Sequence, residues 1–352
     1  MDTSDNIEET NDSALDSSPT MVDENQDNFL SEVEENKEKS SSKNSYKVLA
    51  RKYRPQNFED LMGQEIMVQT LKNAFKTNRI AHAYILTGVR GIGKTTTARL
   101  LARSLNYETE TINEPNIDML ELGKHCLEIM ESRHIDVIEM DAASRTGISD
   151  IREIIDSVNY SPSSARYKIY IIDEVHMLSK AAFNGLLKTL EEPPPHVKFI
   201  FATTEVQKIP LTILSRCQRF DLKRFDHDMI KLLISKVCEK EMVSIEDSII
   251  DLIAKASGGS ARDSLSLLDQ AMALSSDGNI SEEKIRQMLG LSDQSRIIDL
   301  YEFISNTEIE KALLEVKDQV DIGTDPVNLI ESLGDLIHEL TRLKVTDSND
   351  DN

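Results

Sequence analysis

The segment GVRGIGKT at residues 88–95 limits what this chain can fold into more than any other feature. It matches the pattern G-x-x-x-x-G-K-[ST] and stands between an apolar run, AYILTG, and a helical pattern over 94–106. In this context glycines allow backbone N–H groups to surround an anionic phosphate at a helix N-terminus. The alternative, a glycine-rich turn without a ligand, is disfavoured by the flanking strand and helix. The motif therefore predicts a nucleotide-binding loop in an α/β domain.

Two residues of this loop carry specific chemistry. Lys94 is expected to neutralise the β- and γ-phosphates of the nucleotide, and the hydroxyl of Thr95 is expected to bind Mg²⁺. The predicted nucleotide contacts are Gly88, Val89, Arg90, Gly91, Ile92, Gly93, Lys94, Thr95 and Thr96.

A second apolar run, IYIIDE at 169–174, ends in two carboxylates. Ligands bind at the carboxyl ends of the strands in open α/β sheets, so both carboxylates are expected beside the loop. Asp173 is predicted to hold Mg²⁺, directly or through water, and Glu174 to orient and deprotonate the attacking water. His176 and Met177 are assigned to packing, because a lone histidine is more often structural than catalytic.

Apolar runs alternate with helical patterns through the first two thirds of the chain. Near-continuous apolar strands separated by helices indicate a parallel sheet covered on both faces. The predicted strands are 83–88, 136–141, 168–174 and 197–204, and the predicted helices are 64–78, 94–106, 149–158 and 181–191.

Beyond residue 225 the pattern changes to helices alone. They are predicted at 226–240, 246–257, 261–275, 281–289, 293–306, 308–320 and 325–343. The predicted division is a disordered acidic tail at 1–45, the α/β domain at 46–224, a small helical domain at 225–290, a second helical domain at 291–344 and a disordered tail at 345–352.

Negative charge is concentrated at the N-terminus, where residues 1–46 hold 13 Asp and Glu against 3 Lys. Such a composition buries too little apolar surface to offset chain entropy. The charge of the whole chain, -22, gives no indication of nucleic-acid binding, which would need a local basic surface. Three widely separated cysteines argue against a disulfide framework, and no apolar run is long enough to span a bilayer. We therefore expect a cytoplasmic protein.

Eight segments between Tyr46 and Leu291 form a recognisable set. They are YKVLARKYRP, HAYILTGVRGIGKTTTARLLARSLN, IDVIEMDAASRTG, IYIIDEVHMLS, LLKTLEEPP, FIFATTE, ILSRCQRF and GGSARDSLSLLDQA. Together they resemble the gamma/tau family of bacterial DNA polymerase III, the ATPases of the replicative clamp loader. The resemblance implies an AAA+ P-loop NTPase with a parallel sheet, a helical lid at 225–290 and an all-helical collar at 291–344.

The resemblance also implies roles for residues outside the phosphate loop. ATP lies between subunits in AAA+ rings, so Arg216 in the Ser-Arg-Cys motif would reach the γ-phosphate bound by a neighbour. Thr204 and Arg262 resemble the two sensors of the γ-phosphate. The alternatives are structural: a surface arginine, a threonine at a strand end and a solvated helix residue. The adenine pocket of the family lies at the positions of Tyr53, Arg54 and Pro55, which are equally consistent with a domain-entry turn.

The expected cycle and partners follow from the same resemblance. ATP binding would favour a ring that opens the sliding clamp and grips primer–template DNA, and hydrolysis would release the clamp. The expected partners are delta, delta-prime and further gamma/tau copies, the sliding clamp and primer–template DNA, without a membrane. No carboxylate constellation of a polymerase is recognisable, so nucleotidyl transfer would belong to the holoenzyme.

The sequence departs from the family at 107–134, where relatives carry a four-cysteine zinc module. Only Cys126 remains, and the other cysteine positions fall at Tyr107, Leu120 and Gly123. His125 and His134 add nitrogen ligands, but His125 and Cys126 are adjacent and would leave a helix on different sides. Because the paired C-x-x-C spacing is absent, zinc is not expected. An apolar helix over 117–130 is predicted in its place.

The second departure is at the C-terminus, where the collar pattern is short and ends near Lys344. This leaves a second hypothesis, a non-catalytic ATP-binding scaffold with impaired ring assembly. The complete phosphate loop, Glu174 and Arg216 favour the ATPase. A third hypothesis, another AAA+ machine such as a helicase loader or branch-migration motor, is disfavoured by LARKYRP and SRC.

Overall fold

The computed structural model of the chain describes residues 46–274, 281–290 and 294–347. The acidic tail predicted at 1–45 lies outside these residues, and so does the C-terminal tail from residue 348.

A parallel sheet forms the centre of the α/β domain. Within the described residues it has five strands in the spatial order β2-β3-β4-β1-β5, and all paired strands are parallel. The strands are β1 (Ala83–Thr87), β2 (Val137–Asp141), β3 (Lys168–Asp173), β4 (Val197–Thr203) and β5 (Gln218–Asp221). The predicted fold class, a parallel α/β domain followed by helices, is confirmed.

Strand β5 is absent from the sequence prediction. It reads QRFD, and of its side chains only Phe220 is buried. β5 pairs with β1 alone and forms an edge of the sheet, so an apolar run is not required there.

Helices cover both faces of the sheet. They are α1 (Leu49–Lys52), α2 (Glu65–Lys76), α3 (Lys94–Leu105), α4 (Cys126–Met130), α5 (Ile148–Val158), α6 (Lys180–Glu191) and α7 (Leu211–Leu214). Tyr84 and Ile171 face one apolar cluster with α2 and α3, and Tyr170 and Phe201 face a second with α5 and α6. Phe201 is fully buried, so truncating this core aromatic to alanine is expected to reduce the free energy of unfolding by about 3–5 kcal/mol.

The strand register brings polar strand ends together at one edge of the sheet. Thr87 at the end of β1 is paired with Thr203 at the end of β4, and Asp173 ends β3 beside Asp141 of β2. The phosphate loop leaves β1 at this same edge. Because the strands are parallel, residues far apart in sequence meet where ligands bind in open α/β sheets.

The lid follows β5 and has its own apolar core. Its helices are α8 (His227–Glu241), α9 (Asp247–Ala256), α10 (Ala261–Ala273) and α11 (Glu282–Met288). Asp226 and Ser260 cap α8 and α10, each accepting a hydrogen bond from the third backbone N–H of its helix. Leu49 of α1 is buried in the core of these helices.

Three further helices complete the described chain, α12 (Gln294–Ser305), α13 (Ile309–Ile322) and α14 (Pro326–Asp347). They share a small core of Ile297, Leu300, Ala312 and Leu329. Helix α14 continues to Asp347, so the prediction of a disordered tail from 345 is wrong for its first residues.

Candidate nucleotide site

The loop between β1 and α3 depends on glycine at defined positions. Gly88, Gly91 and Gly93 have φ values of +145°, +81° and +95°, which L side chains rarely adopt. A Cβ on Gly93 would meet no atom within 4 Å, so the backbone conformation alone selects glycine there. A Cβ on Gly91 would lie 1.8 Å from Ser260 Oγ of the lid, so close packing adds a second requirement at that position.

This loop presents unused donors. Within the described residues, the backbone N–H groups of 89–96 find no protein acceptor in hydrogen-bonding geometry. They stand at the N-terminus of α3, where the helix dipole favours negative charge. The arrangement fits a polyphosphate, whose oxygens are acceptors only.

Lys94 is buried beneath the loop. Its Nζ donates hydrogen bonds to the carbonyl oxygens of Gly88 and Val89, each at 3.0 Å. Burial lowers the pKa of Lys94, while the carboxylates of Glu174 and Asp173 act in the opposite direction. The ammonium group therefore lies inside the loop, where it is predicted to contact the phosphates of a bound nucleotide.

Thr95 and Asp173 form the predicted magnesium position. The hydroxyl of Thr95 donates to Asp173 Oδ2 at 2.5 Å, across the gap between the start of α3 and the end of β3. A hydroxyl and a carboxylate are the oxygen donors that Mg²⁺ takes alongside phosphate and water. The donor set fits the ion.

Glu174 follows Asp173 in a left-handed backbone conformation with φ +46°. This turn directs the carboxylate back toward β4, where Oε2 accepts hydrogen bonds from the N–H and the hydroxyl of Thr204 at 3.2 and 3.1 Å. The side chains predicted as water-activating base and γ-phosphate sensor are thus brought together. Within the described residues, no donor contacts the other oxygen, Oε1.

His176 has more polar contacts than its assignment to packing implied. Its side chain is 6% exposed, Nδ1 lies 3.0 Å from Thr203 Oγ1, and the same nitrogen lies 3.4 Å from Glu174 Oε2. The short 3-10 turn at Val175–Met177 folds the ring back beside the carboxylate two residues earlier. The sequence signal that could have found it is the spacing D-E-x-H after a buried strand. Met177, by contrast, is exposed.

Arg216 lies apart from these groups. Its guanidinium pairs with Glu191 Oε1 at 2.6 Å and donates to the carbonyl oxygen of Thr212 at 2.7 Å. Neither partner belongs to the phosphate loop or to the end of β3. Cys217, the next residue, packs against the core, and burial raises the pKa of its thiol to about 12. The thiol is therefore protonated near neutral pH, and the packing of Cys217 against the core holds the backbone beside the exposed Arg216.

The lid contacts the phosphate loop through the start of α10. The backbone N–H of Arg262 donates to the carbonyl oxygen of Gly91 at 3.2 Å. The Arg262 side chain is exposed, and its charge is among those that lower the pKa of Arg54, after burial and the charge of Arg99. The predicted second sensor thus starts from a lid element in direct contact with the loop.

Of the residues predicted to line the adenine pocket, Tyr53 contacts the lid. Its hydroxyl donates to Glu241 Oε1 at 2.7 Å, and its ring packs against the lid core. Burial, with the hydrogen bond to Glu241 next, raises its pKa to about 12. Arg54 and Pro55 are half-buried in the connection to the α/β domain. An adenine contact at these three residues stays a prediction.

The prediction of a helix over 117–130 is wrong for most of its length, because only α4 is helical. The preceding chain runs beside residues 104–109, with hydrogen bonds from the N–H of Asn116 to Ser104 O at 2.9 Å and from the N–H of Lys124 to Glu108 O at 2.9 Å. A Cβ on Gly123 would lie 2.8 Å from Glu108 O, which explains the glycine. Backbone pairing with a neighbouring segment replaces helical pairing here.

The remnants of the zinc module meet only in part. Gly123 lies against both Tyr107 and Cys126, whereas Leu120 is 89% exposed. His125 Nδ1 and His134 Nε2 lie 2.9 Å apart and share a hydrogen bond. Because these nitrogens bond to each other and Cys126 is buried in the apolar core, the donors do not fit a tetrahedral zinc site.

The described part of the chain has no group of three or more His, Cys, Asp or Glu side chains that is arranged to hold a metal ion. Burial, and then the neighbouring His125, lower the pKa of His134, which is therefore neutral near pH 7. The absence of zinc stays a prediction.

Comparison with known proteins identifies the family. Residues 63–226 match the model "DNA polymerase III, delta subunit", residues 229–277 the clamp-loader ATPase lid domain, and residues 280–352 domain III of DNA polymerase III subunits gamma and tau. DNA polymerase III subunit gamma of Buchnera aphidicola subsp. Baizongia pistaciae is 40% identical over 304 residues, covering 86% of this chain and 81% of that protein. This chain belongs to the gamma/tau family of DNA polymerase III subunits.

Longer members of the gamma/tau family match the same part of the chain. DNA polymerase III subunit tau of Escherichia coli is 44% identical over 303 residues, covering 86% of this chain and 46% of that protein. The tau subunit of Salmonella typhimurium is 43% identical with the same coverage. The chain thus spans about half the length of these relatives.

Solved structures confirm the fold of this gamma/tau family member. The RuvB Holliday junction branch migration motor of Thermotoga maritima aligns with a TM-score of 0.50 and 20% identity, over 73% of this chain and 80% of that one. At that identity the likeness concerns the AAA+ fold. None of the described helices combines the length and the apolar character that a membrane crossing requires.

Proposed function

We propose that the chain is an ATP-hydrolysing motor subunit of a replicative clamp loader. The observation that carries this proposal is the meeting, within one chain, of Lys94 under the phosphate loop, the Thr95–Asp173 pair at 2.5 Å and Glu174 beside them. Phosphoryl transfer needs a charge clamp, a metal position and an oriented nucleophile, and each has a residue here. A scaffold that only binds ATP has no need for Glu174.

The reaction is hydrolysis of the bond between the β- and γ-phosphates. A water molecule attacks the γ-phosphorus, its proton passes to a Glu174 oxygen, and the bond to the β-phosphate oxygen breaks to give ADP and phosphate. Lys94 and the loop N–H groups hold the phosphate oxygens, and Thr95 with Asp173 holds the magnesium position. When bound there, Mg²⁺ supplies positive charge to the β- and γ-oxygens.

Arg216 belongs, in this proposal, to the site of a neighbouring subunit. It is exposed, and its partners lie on α6 and α7 rather than at the loop of its own chain. An arginine supplied in trans neutralises the charge that develops on the γ-phosphate and contributes a factor of about 10³–10⁵ in rate. Thr204 and the side chain of Arg262 are proposed as the sensors of that phosphate.

The biological setting is inferred from the family. The proposed partners are delta, delta-prime and further gamma/tau copies, the sliding clamp and primer–template DNA, in the bacterial cytoplasm. ATP binding favours the ring that opens the clamp and grips DNA, and hydrolysis releases the clamp. Contacts with the duplex backbone would come from Lys, Arg and helix N-termini. Nucleotidyl transfer belongs to the polymerase holoenzyme.

The decisive experiment measures ATP hydrolysis by the full chain mixed with delta-type subunits, clamp and primed DNA. The wild-type chain is compared with Glu174→Gln, which keeps the shape of the side chain and loses the base. We expect the wild type to turn over ATP at least ~100-fold faster, with equal ATP binding. ATP binding with no hydrolysis above that of Glu174→Gln would instead support the scaffold.

A further inference from the structure

His176 lies at the centre of a buried polar group that the site as described does not use. Its ring is 6% exposed and stands between two carboxylates, with Nδ1 3.4 Å from Glu174 Oε2 and Nε2 3.4 Å from Glu205 Oε1. Nδ1 also lies 3.0 Å from the hydroxyl of Thr203, which is fully buried. A histidine that served only to fill space would not need a polar neighbour at both nitrogens.

The contact with Glu174 concerns one oxygen of the carboxylate. Oε2 accepts from the N–H and the hydroxyl of Thr204 at 3.2 and 3.1 Å, and Nδ1 of His176 lies 3.4 Å from the same oxygen. Oε1 is left without a donor among the residues described. Holding Oε2 therefore fixes the direction in which Oε1 can accept the proton of a water molecule.

The second ring nitrogen, Nε2, faces Glu205, which precedes the segment that carries Arg216. Glu205 accepts a hydrogen bond from Lys208 Nζ at 2.7 Å, and its own N–H donates to Thr203 Oγ1 at 3.0 Å. Lys208 ends the short turn Val206–Lys208, which runs directly into α7 and then Arg216. The ring thus links the predicted base to the first turn of the segment that carries the predicted trans arginine.

We infer that His176 is a positioning residue that orients Glu174 for water activation by holding Oε2 between Thr204 and the imidazole, with Thr203 and Glu205 fixing the ring. This inference rests on the proposed ATPase function. His176 does not touch the nucleotide in this arrangement. It acts through Glu174, so its removal should lower turnover and leave ATP binding unchanged.

Three substitutions separate positioning from packing. His176→Leu fills the space without polar atoms. His176→Asn keeps a polar group near the position of Nδ1, beside Thr203 and Glu174, whereas His176→Gln reaches the position of Nε2, beside Glu205. Each is made in the full chain and assayed with delta-type subunits, clamp and primed DNA for kcat and KM, and for ATP affinity and thermal unfolding.

We expect His176→Leu to lower kcat by roughly 10–100-fold, with KM, ATP affinity and unfolding temperature close to wild type. His176→Asn should recover most of this loss, and His176→Gln should recover less. In a Glu174→Gln background the leucine substitution should change kcat by less than about twofold, because the group through which it acts is already gone.

His196 offers a matched control. It is a half-buried histidine of the same α/β domain, with Nε2 3.2 Å from the carbonyl oxygen of Val158 at the opposite ends of the strands. His196→Leu should leave kcat unchanged. A loss equal to that of His176→Leu would attribute the effect to the fold and overturn the inference.

The other outcomes are equally direct. The inference fails if His176→Leu keeps kcat within twofold of wild type, if it lowers kcat by the same factor in the Glu174→Gln background, or if Asn and Gln are equivalent. The Asn and Gln comparison holds even if the leucine variant does not fold. A wild type no faster than Glu174→Gln would remove the proposed ATPase and this inference together, whereas a fast wild type with an inert His176 would remove the inference alone.

Discussion

The two halves of the proposed catalytic machinery differ in how completely one chain assembles them. The phosphate side is enclosed: Lys94 is buried, Thr95 reaches Asp173 at 2.5 Å, and Glu174 is held by Thr204. The arginine side is open, since Arg216 is exposed and paired with Glu191, a surface carboxylate. Folding of one chain fixes the positions of the enclosed groups, whereas the position of the exposed Arg216 depends on what it binds. We therefore expect one chain to bind ATP by itself and fast hydrolysis to need a neighbouring chain.

The largest expected effect comes from Arg216→Ala. Turnover by the assembled ring should fall by about 10³–10⁵, because the developing charge on the γ-phosphate loses its counter-charge. ATP affinity and the slow turnover of the isolated chain should stay unchanged. Steady-state hydrolysis with and without delta-type partners checks both. An isolated wild-type chain that hydrolyses ATP at the full ring rate would contradict the division between the halves.

Glu174→Gln should come next, with a loss of about 10²–10⁴ in kcat and retained ATP binding, since only proton transfer is removed. Mixing this variant with Arg216→Ala sharpens the comparison. Interfaces that pair an intact Glu174 with an intact Arg216 form only in the mixture, which should therefore be faster than either variant alone. A mixture no faster than the variants would show that Glu174 and Arg216 of one chain serve the same nucleotide, and would contradict an arginine supplied by a neighbour.

Disturbing the predicted magnesium position should lower ATP affinity less than it lowers the rate of ATP hydrolysis. Thr95→Val deletes the hydroxyl that meets Asp173, and we expect ATP affinity to fall by about tenfold, which corresponds to ~1.4 kcal/mol. Titration of Mg²⁺ into the ATPase assay should show a higher requirement for the ion. Thr97→Val is the control, because Thr97 is not among the predicted nucleotide contacts and its buried hydroxyl has no hydrogen-bond partner among the described residues. Equal behaviour of the two variants would argue against the ion position.

The smallest effect is expected from Glu191→Gln. The pair with Arg216 is exposed, with 51% of the Glu191 side chain accessible, and such pairs contribute less than about 1 kcal/mol. Freeing the guanidinium should raise ring turnover by less than about fivefold and reduce its salt dependence. ATPase rates at two ionic strengths measure this. A large fall in turnover would show that Glu191 orients Arg216 rather than competing for it.

Sequence predicted that the residues of the enclosed half lie together, because their signals are local; their roles stay predictions. A short motif contains the loop glycines and Lys94, and it predicts a phosphate loop by itself. A short apolar run before Asp173 likewise predicts a buried strand by itself. Their meeting at the sheet edge follows from parallel topology. Arg216 came from family resemblance, since nothing local distinguishes a finger from a surface arginine.

The parts that sequence missed depend on contacts between distant segments. Strand β5 exists because β1 offers it a partner, and its own residues are mostly polar. The chain before α4 looked helical but pairs with residues 104–109. The contacts of His176 need Glu205, which follows the next strand of the sheet. Periodicity within a segment contains none of this information.

The contact of Gly91 with Ser260 has a consequence for timing. With the lid in this position there is no room for even a single methyl group between the loop and the start of α10. We expect the release of ADP to require a movement of the lid away from the loop. We expect the dwell time of ADP, and with it the rate of the proposed cycle, to be set by this movement of the lid rather than by the contacts of the phosphate loop.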